Sequence, residues 1–176
     1  MREGTDPLPG PAPIPILSIV GRSKSGKTTV LERIIMALKA RGYRLATVKH
    51  HAHPGFEIDV PGKDTWRHAQ AGSDHVIIAA PDKVAEIRRV SREPSLDEIA
   101  AGIQAVDLIL TEGYLSADKP KVEVFPDEPG LTPIAAPDQL LAVVSVQPVR
   151  VDAPQYQPDD CDGLVNLIEQ RLLDGR

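Results

Sequence analysis

Cysteine occurs once in the 176 residues, at Cys161, so no internal disulfide can form and the chain suits a reducing compartment. Basic charge is not in excess. The formal net charge of −5 offers no field to hold a polynucleotide, and no nucleic-acid partner is expected. No apolar run approaches the length that spans a bilayer, and the N-terminus lacks the apolar h-region of a signal peptide. A cytoplasmic protein without a membrane partner is the expectation. Internal repeats are also missing. What is present is ordinary for a globular chain: 41% hydrophobic and 26% charged residues, enough for one domain with a substantial core.

Against that plain background one stretch stands out, Gly21-Arg22-Ser23-Lys24-Ser25-Gly26-Lys27-Thr28, followed by Thr29. It reads G-x-x-x-x-G-K-T, the phosphate-binding P-loop. An apolar run, Ile14 to Val20, precedes it as a buried strand, and Val30, Leu31, Ile34, Ile35 and Leu38 follow at helical spacing. Glycines let the backbone bend so that successive N–H groups form an anion-binding nest, and the helix turns its positive N-terminus toward the phosphates. Lys27 would reach the β- and γ-phosphates and Thr28 would ligate Mg²⁺. The plain alternative is an ordinary Gly-rich strand-to-helix turn, but a chance match of the full motif in that context is rare.

The remaining chain alternates strands with helices. The segment 1–13, with Pro7, Pro9, Pro11 and Pro13, reads as a disordered tail, and 14–176 as a single nucleotide-binding domain. A helix from Lys27 to Arg41 should stop at Gly42. Strands are expected at 44–49, 74–80, 84–90 and 107–113, and a buried one at 141–146. Helices should open with Asp64 as N-cap, with Ser95 (running to Gln104), and near Asp160 (running to Leu173). The irregular, proline-rich stretch 114–140 holds one strand-like piece, Lys121 to Phe125. This alternation predicts an α/β fold with a mostly parallel twisted sheet covered by helices on both faces.

A P-loop needs a carboxylate at the end of a neighbouring strand to hold Mg²⁺. Glu112, closing the run Asp107-Leu108-Ile109-Leu110-Thr111-Glu112-Gly113, is the candidate; Asp107 opens the same strand and should lie at the opposite end of the sheet. Asp59, in the loop after the second strand, could bind Mg²⁺ or orient water, or be a solvated loop acid. Asp64 reads as a helix cap. His50, His51 and His53 form a His-rich tract, but adjacent strand residues face opposite ways, and His51 with His53 has Asp59 as its sole further ligand. Contacts to phosphate or to a partner through Lys49 and His50 fit better. His68 and His75 read as surface residues without partners, and Cys161 as a packed, inert thiol. There is no N-K-x-D segment, so the residues do not separate guanine from adenine, and the base would lie around Val146 to Val149.

Taken together, the P-loop, Val48-Lys49-His50-His51, Asp59-Val60-Pro61-Gly62-Lys63-Asp64 and Asp107 to Tyr114 resemble the MobB family, accessory proteins of molybdopterin-guanine dinucleotide biosynthesis. The resemblance runs from about Ile14 to Leu173. It implies a P-loop NTPase fold and a GTP-binding homodimer with weak hydrolysis. Such a protein assists the molybdenum cofactor guanylyltransferase as an adapter, and meets molybdopterin or molybdoenzymes. By that likeness Gly21 to Thr29 bind the phosphates of GTP, Lys27 and Asp59 serve hydrolysis, and Thr28, Glu112 and Asp59 serve Mg²⁺. The stretch 114–140 would extend the sheet toward the partner subunit. Lys24 departs from the family, which more often has a small residue there, and the signature lysine of nitrogenase-type relatives falls at Arg22. The alternatives are an ATP-dependent ligase or kinase of the dethiobiotin synthetase type and a metallochaperone GTPase using His51 and His53.

Overall fold

A computed structural model describes residues 13–53 and 55–174. The expected tail, 1–13, falls outside these residues except for Pro13. In chain order the elements are β1 (Ile16–Val20), α1 (Lys27–Ala40), β2 (Leu45–Lys49), α2 (Asp64–Gln70), β3 (His75–Ala79), β4 (Val84–Arg88), α3 (Leu96–Ala100), β5 (Leu108–Glu112), β6 (Lys121–Val124), β7 (Leu140–Val144), β8 (Gln155–Tyr156) and α4 (Cys161–Ile168). They form two compact units: the described residues up to His50 with those from Ala100 onward, and His51–Ile99.

The first unit is built on a six-stranded sheet in the order β2-β5-β1-β6-β7-β8, parallel at every pairing. Buried side chains alternate along its strands. Leu17 and Ile19, Leu108 and Leu110, Val122 and Val124, and Ala142 and Val144 share a cluster with Val30, Leu31, Ile34 and Leu38 of α1 and with Leu164, Val165 and Ile168 of α4. Such period-two burial is what a sheet face under helices requires. The intervening positions are buried too, yet several are polar: Ser18, Thr111, Lys121, Glu123 and Ser145. Each finds a partner there; Thr111 Oγ1 donates to Ser18 Oγ at 2.9 Å.

Helix ends follow the sequence closely in places. Gly42, at φ +91°, donates to the Lys39 carbonyl while Tyr43 donates to that of Leu38, the double bond that closes a helix on a left-handed residue. Ser95 and Glu98 form a reciprocal box, side chain to backbone in both directions, although the helix it starts ends at Ala100 and not at Gln104. Lys63, not Asp64, holds the N-cap of α2, and Asp64 is its first helical residue, where a carboxylate still favours the dipole. The final helix is α only to Ile168 and widens to a π-turn over Glu169–Leu173.

Three features depart further from the sequence reading. The apolar run at 75–79 joins no main-sheet strand. It pairs antiparallel with β4 in a separate two-stranded ribbon, and His75 meets Glu86 at 2.9 Å. Lys121–Val124 lies in the interior of the sheet between β1 and β7. A two-residue strand, β8, sits in what reads as a loop, its Gln155 and Tyr156 in register with Val143 and Val144. Among the described residues no helix is long and apolar enough to cross a membrane.

Candidate functional site

The loop from Gly21 to Gly26 leaves the carboxyl end of β1, between β5 and β6, where the chain's crossovers part to opposite sides of the sheet. Ligands of open α/β sheets gather at such a point. Gly21 adopts φ +146°, and a Cβ there would stand 2.2 Å from the Val124 carbonyl oxygen, so only glycine fits. Gly26, at φ +90°, caps α1, and the Val30 amide donates to its carbonyl. Lys24 takes φ +61° and is exposed, so the loop accepts a left-handed lysine at its crest.

Lys27 Nζ donates to the carbonyls of Gly21 and Arg22, at 3.1 and 2.7 Å, which draws the ammonium over the loop. Ser25 is buried, and its Oγ has no hydrogen-bond partner among the described residues. Neither does Arg22 Nη1, which lies 4.0 Å from Glu123. Buried polar groups are almost always paired, so two orphans in one loop mark a place made for a polar ligand.

On the β5 side, Thr28 Oγ1 donates to Glu112 at 3.1 and 3.2 Å, and Lys49 Nζ reaches the same carboxylate at 3.0 Å. The register explains the meeting: Lys49 pairs with Glu112 across β2 and β5, and Ile19 with Glu112 across β1 and β5. The His50 amide donates to the Glu112 carbonyl, and Gly113 takes a left-handed φ of +96°, with His50 Cβ 3.0 Å from where its own Cβ would stand. The His50 ring lies 4.9 Å from that of Tyr114. A hydroxyl beside a carboxylate is a hard oxygen pair of the kind that Mg²⁺ takes.

Asp107 sits at the far end of β5, as its place in the sequence requires. The Arg44 guanidinium grips both its oxygens, and this bond with the Arg44 amide holds the carboxyl down to about 2. Asp59 belongs to the second unit, where its Oδ1 accepts from the Val60 amide at 2.7 Å and its buried Oδ2 has no partner among the described residues. In that unit the His51 ring lies near those of His53 and Phe56, at 6.1 and 5.9 Å. Among the described residues no three His, Cys, Asp or Glu converge as metal ligands would. Cys161 is half-buried, and burial pushes its thiol up.

Sequence reasoning passed over Glu123. Its carboxylate, 1% exposed, accepts from the Ile134 and Ala135 amides at 2.9–3.1 Å while facing Arg22 of the loop. The signal was present: an acid between Val122 and Val124, one residue before the end of its strand.

A parallel sheet carrying a glycine-locked loop at its switch point, with a carboxylate on the neighbouring strand, defines an α/β protein of the P-loop NTPase-like class. Residues 16–146 match the family described as molybdopterin guanine dinucleotide synthesis protein B, and the chain belongs to that family. It is 36% identical over 161 residues to the molybdopterin-guanine dinucleotide biosynthesis adapter protein of Haemophilus influenzae, covering 90% of each chain. To the Escherichia coli adapter protein it is 32% identical, over 92% of this chain and 95% of that one. The crystal structure of Bacillus subtilis MobB superposes with a TM-score of 0.75 at 27% identity, over 93% of this chain and all of that one.

Proposed function

We propose that this chain is a GTP-binding adapter of molybdopterin guanine dinucleotide synthesis, with weak Mg²⁺-dependent hydrolysis. In this reading it works in the cytoplasm beside the guanylyltransferase that joins GMP to molybdopterin, and does not itself transfer the nucleotide. The adapter role is the one named for the Haemophilus influenzae and Escherichia coli relatives, and family membership supports it. GTP binding rests chiefly on one observation: the Thr28 hydroxyl and Glu112 carboxylate meet beside a loop that holds the Lys27 ammonium.

These residues fit a nucleotide polyphosphate with its cation. The amides of Gly21 to Thr29 would bind the phosphates, and the orphaned Ser25 Oγ would find a partner in them. Lys27 would leave its carbonyls for the β- and γ-oxygens, and Thr28 and Glu112 would hold Mg²⁺. Bound there, Mg²⁺ neutralises charge on the β- and γ-oxygens.

A homodimer is part of the same reading. Ile77 and Ile78 on β3 and Val84 on β4 are each more than half exposed, an apolar load that a second copy would cover.

Calorimetric titration of GTP and ATP, each with Mg²⁺, tests the nucleotide assignment, and tighter binding of ATP would overturn it. Phosphate release slower than about one per second supports an adapter; faster turnover points to an ATP- or GTP-driven ligase or kinase.

A further inference from the structure

From the geometry we infer that Asp127, steadied by Gln147, reads the guanine base. This rests on the proposed GTP binding and adds where, and by what chemistry, the base is distinguished.

The phosphate loop has a direction. Its metal side faces β5 and β2, where Glu112 and Lys49 lie, so the γ-phosphate points that way. The nucleoside then extends to the other side of β1, over the ends of β6 and β7. Those ends adjoin the loop directly: Gly21 packs on the Val124 carbonyl, and the Phe125 amide donates to that of Val144.

Three residues beyond each strand's final pair, Val124 with Val144, the chains meet again, Gln147 Nε2 donating to Asp127 Oδ1 at 2.7 Å. The Gln147 backbone is fixed from below, because its carbonyl accepts from both Ser145 Oγ and Gln155 Nε2 at 2.8 Å. Gln155 Oε1 in turn accepts from the Val149 amide at 3.0 Å. On the other strand, Glu123 secures the returning segment through Ile134 and Ala135. The pair is thus braced on the Gln147 side by the buried Ser145 and by Gln155. Asp127 Oδ2 carries no hydrogen bond among the described residues.

A carboxylate is acceptor-only. Guanine offers two adjacent donors, N1–H and the N2 amine, which two carboxylate oxygens can take together. Adenine offers one amine and sets the N1 lone pair against the second oxygen. The site therefore favours guanine without an N-K-x-D segment. Xanthine replaces the N2 amine by an oxygen, an acceptor that an asparagine amide would meet.

The test is calorimetry on the full chain and on Asp127→Asn, with GTP, ATP, xanthosine triphosphate and inorganic tripolyphosphate, all with Mg²⁺. Wild type should prefer GTP to ATP. The variant should lose about tenfold or more in GTP affinity and gain in xanthosine triphosphate affinity. Its tripolyphosphate affinity should stay unchanged, which shows the phosphate loop intact. If wild type prefers GTP and the variant keeps the same GTP to xanthosine triphosphate ratio, the assignment of Asp127 falls while the GTP reading stands. If wild type shows no preference for GTP, both fall.

Discussion

Thr28 and Glu112 are 84 residues apart in the chain, yet the threonine hydroxyl lies within hydrogen-bond reach of both carboxylate oxygens. The contact joins the helix after the phosphate loop to the strand beside it, and it sets the first prediction. Glu112→Gln should leave metal-free GTP binding near wild type but cut the gain in affinity that Mg²⁺ brings by about tenfold or more. Titrations with and without Mg²⁺ measure that gain directly, and equal gains in both proteins would remove Glu112 from the metal site.

Lys27→Ala should abolish detectable nucleotide binding while the protein stays folded, since among the described residues the side chain bonds only to carbonyls of its own loop. Circular dichroism with GTP titration checks both halves. Cys161→Ser, remote in role, should bind GTP as wild type does.

Gly21→Ala should fail differently. Its new Cβ would meet the Val124 carbonyl at 2.2 Å on a backbone of φ +146°. We expect a loss of about 3 kcal/mol or more in urea unfolding, from steric clash and strain together.

These glycines and Glu112 were legible because the phosphate loop is local: eight consecutive residues specify it, and the acid closes an apolar run that can only be a strand. Glu123, by contrast, lies in a short piece inside a proline-rich stretch. Its place depends on β6 pairing with β1, a long-range fact that no periodicity carries. The run at 75–79 is a strand, as expected, but which sheet it joins is not written in it: it pairs with β4 alone, and Ile77 and Ile78 are exposed. His75 reads as partnerless because Glu86 reaches it only through the hairpin.

The Asp107–Arg44 pair gives a pH signature. Its carboxyl is held at about 2, below the ordinary value of 3.8, so its stabilisation is complete above about pH 4 and is lost as pH falls toward 2. Asp107→Asn should be less stable than wild type at pH 7. That gap should close between about pH 4 and pH 2, read from urea midpoints at each pH. A constant gap would show that the pair is not ionic in effect.

Lys121 is fully buried, its ammonium donating to the Ala117 and Lys119 carbonyls and to Gln139 Oε1, and burial lowers its pKa. Lys121→Ala would strand three acceptors and should cost about 3 kcal/mol in chemical denaturation.

The order of strands also governs when the protein can assemble. Strand β1, which leads into the loop at Gly21, lies between β5 and β6 and pairs with both. Its Ser18 must wait for Thr111, 93 residues later. At ribosomal speeds that delay is on the order of ten seconds, during which an apolar strand that ends up fully buried emerges unpaired. The loop from Gly21 to Gly26 is thus among the earliest segments made and among the latest to take shape. A nascent chain halted before β5 should remain open to protease at Ile16–Val20, and one halted beyond β7 should be protected.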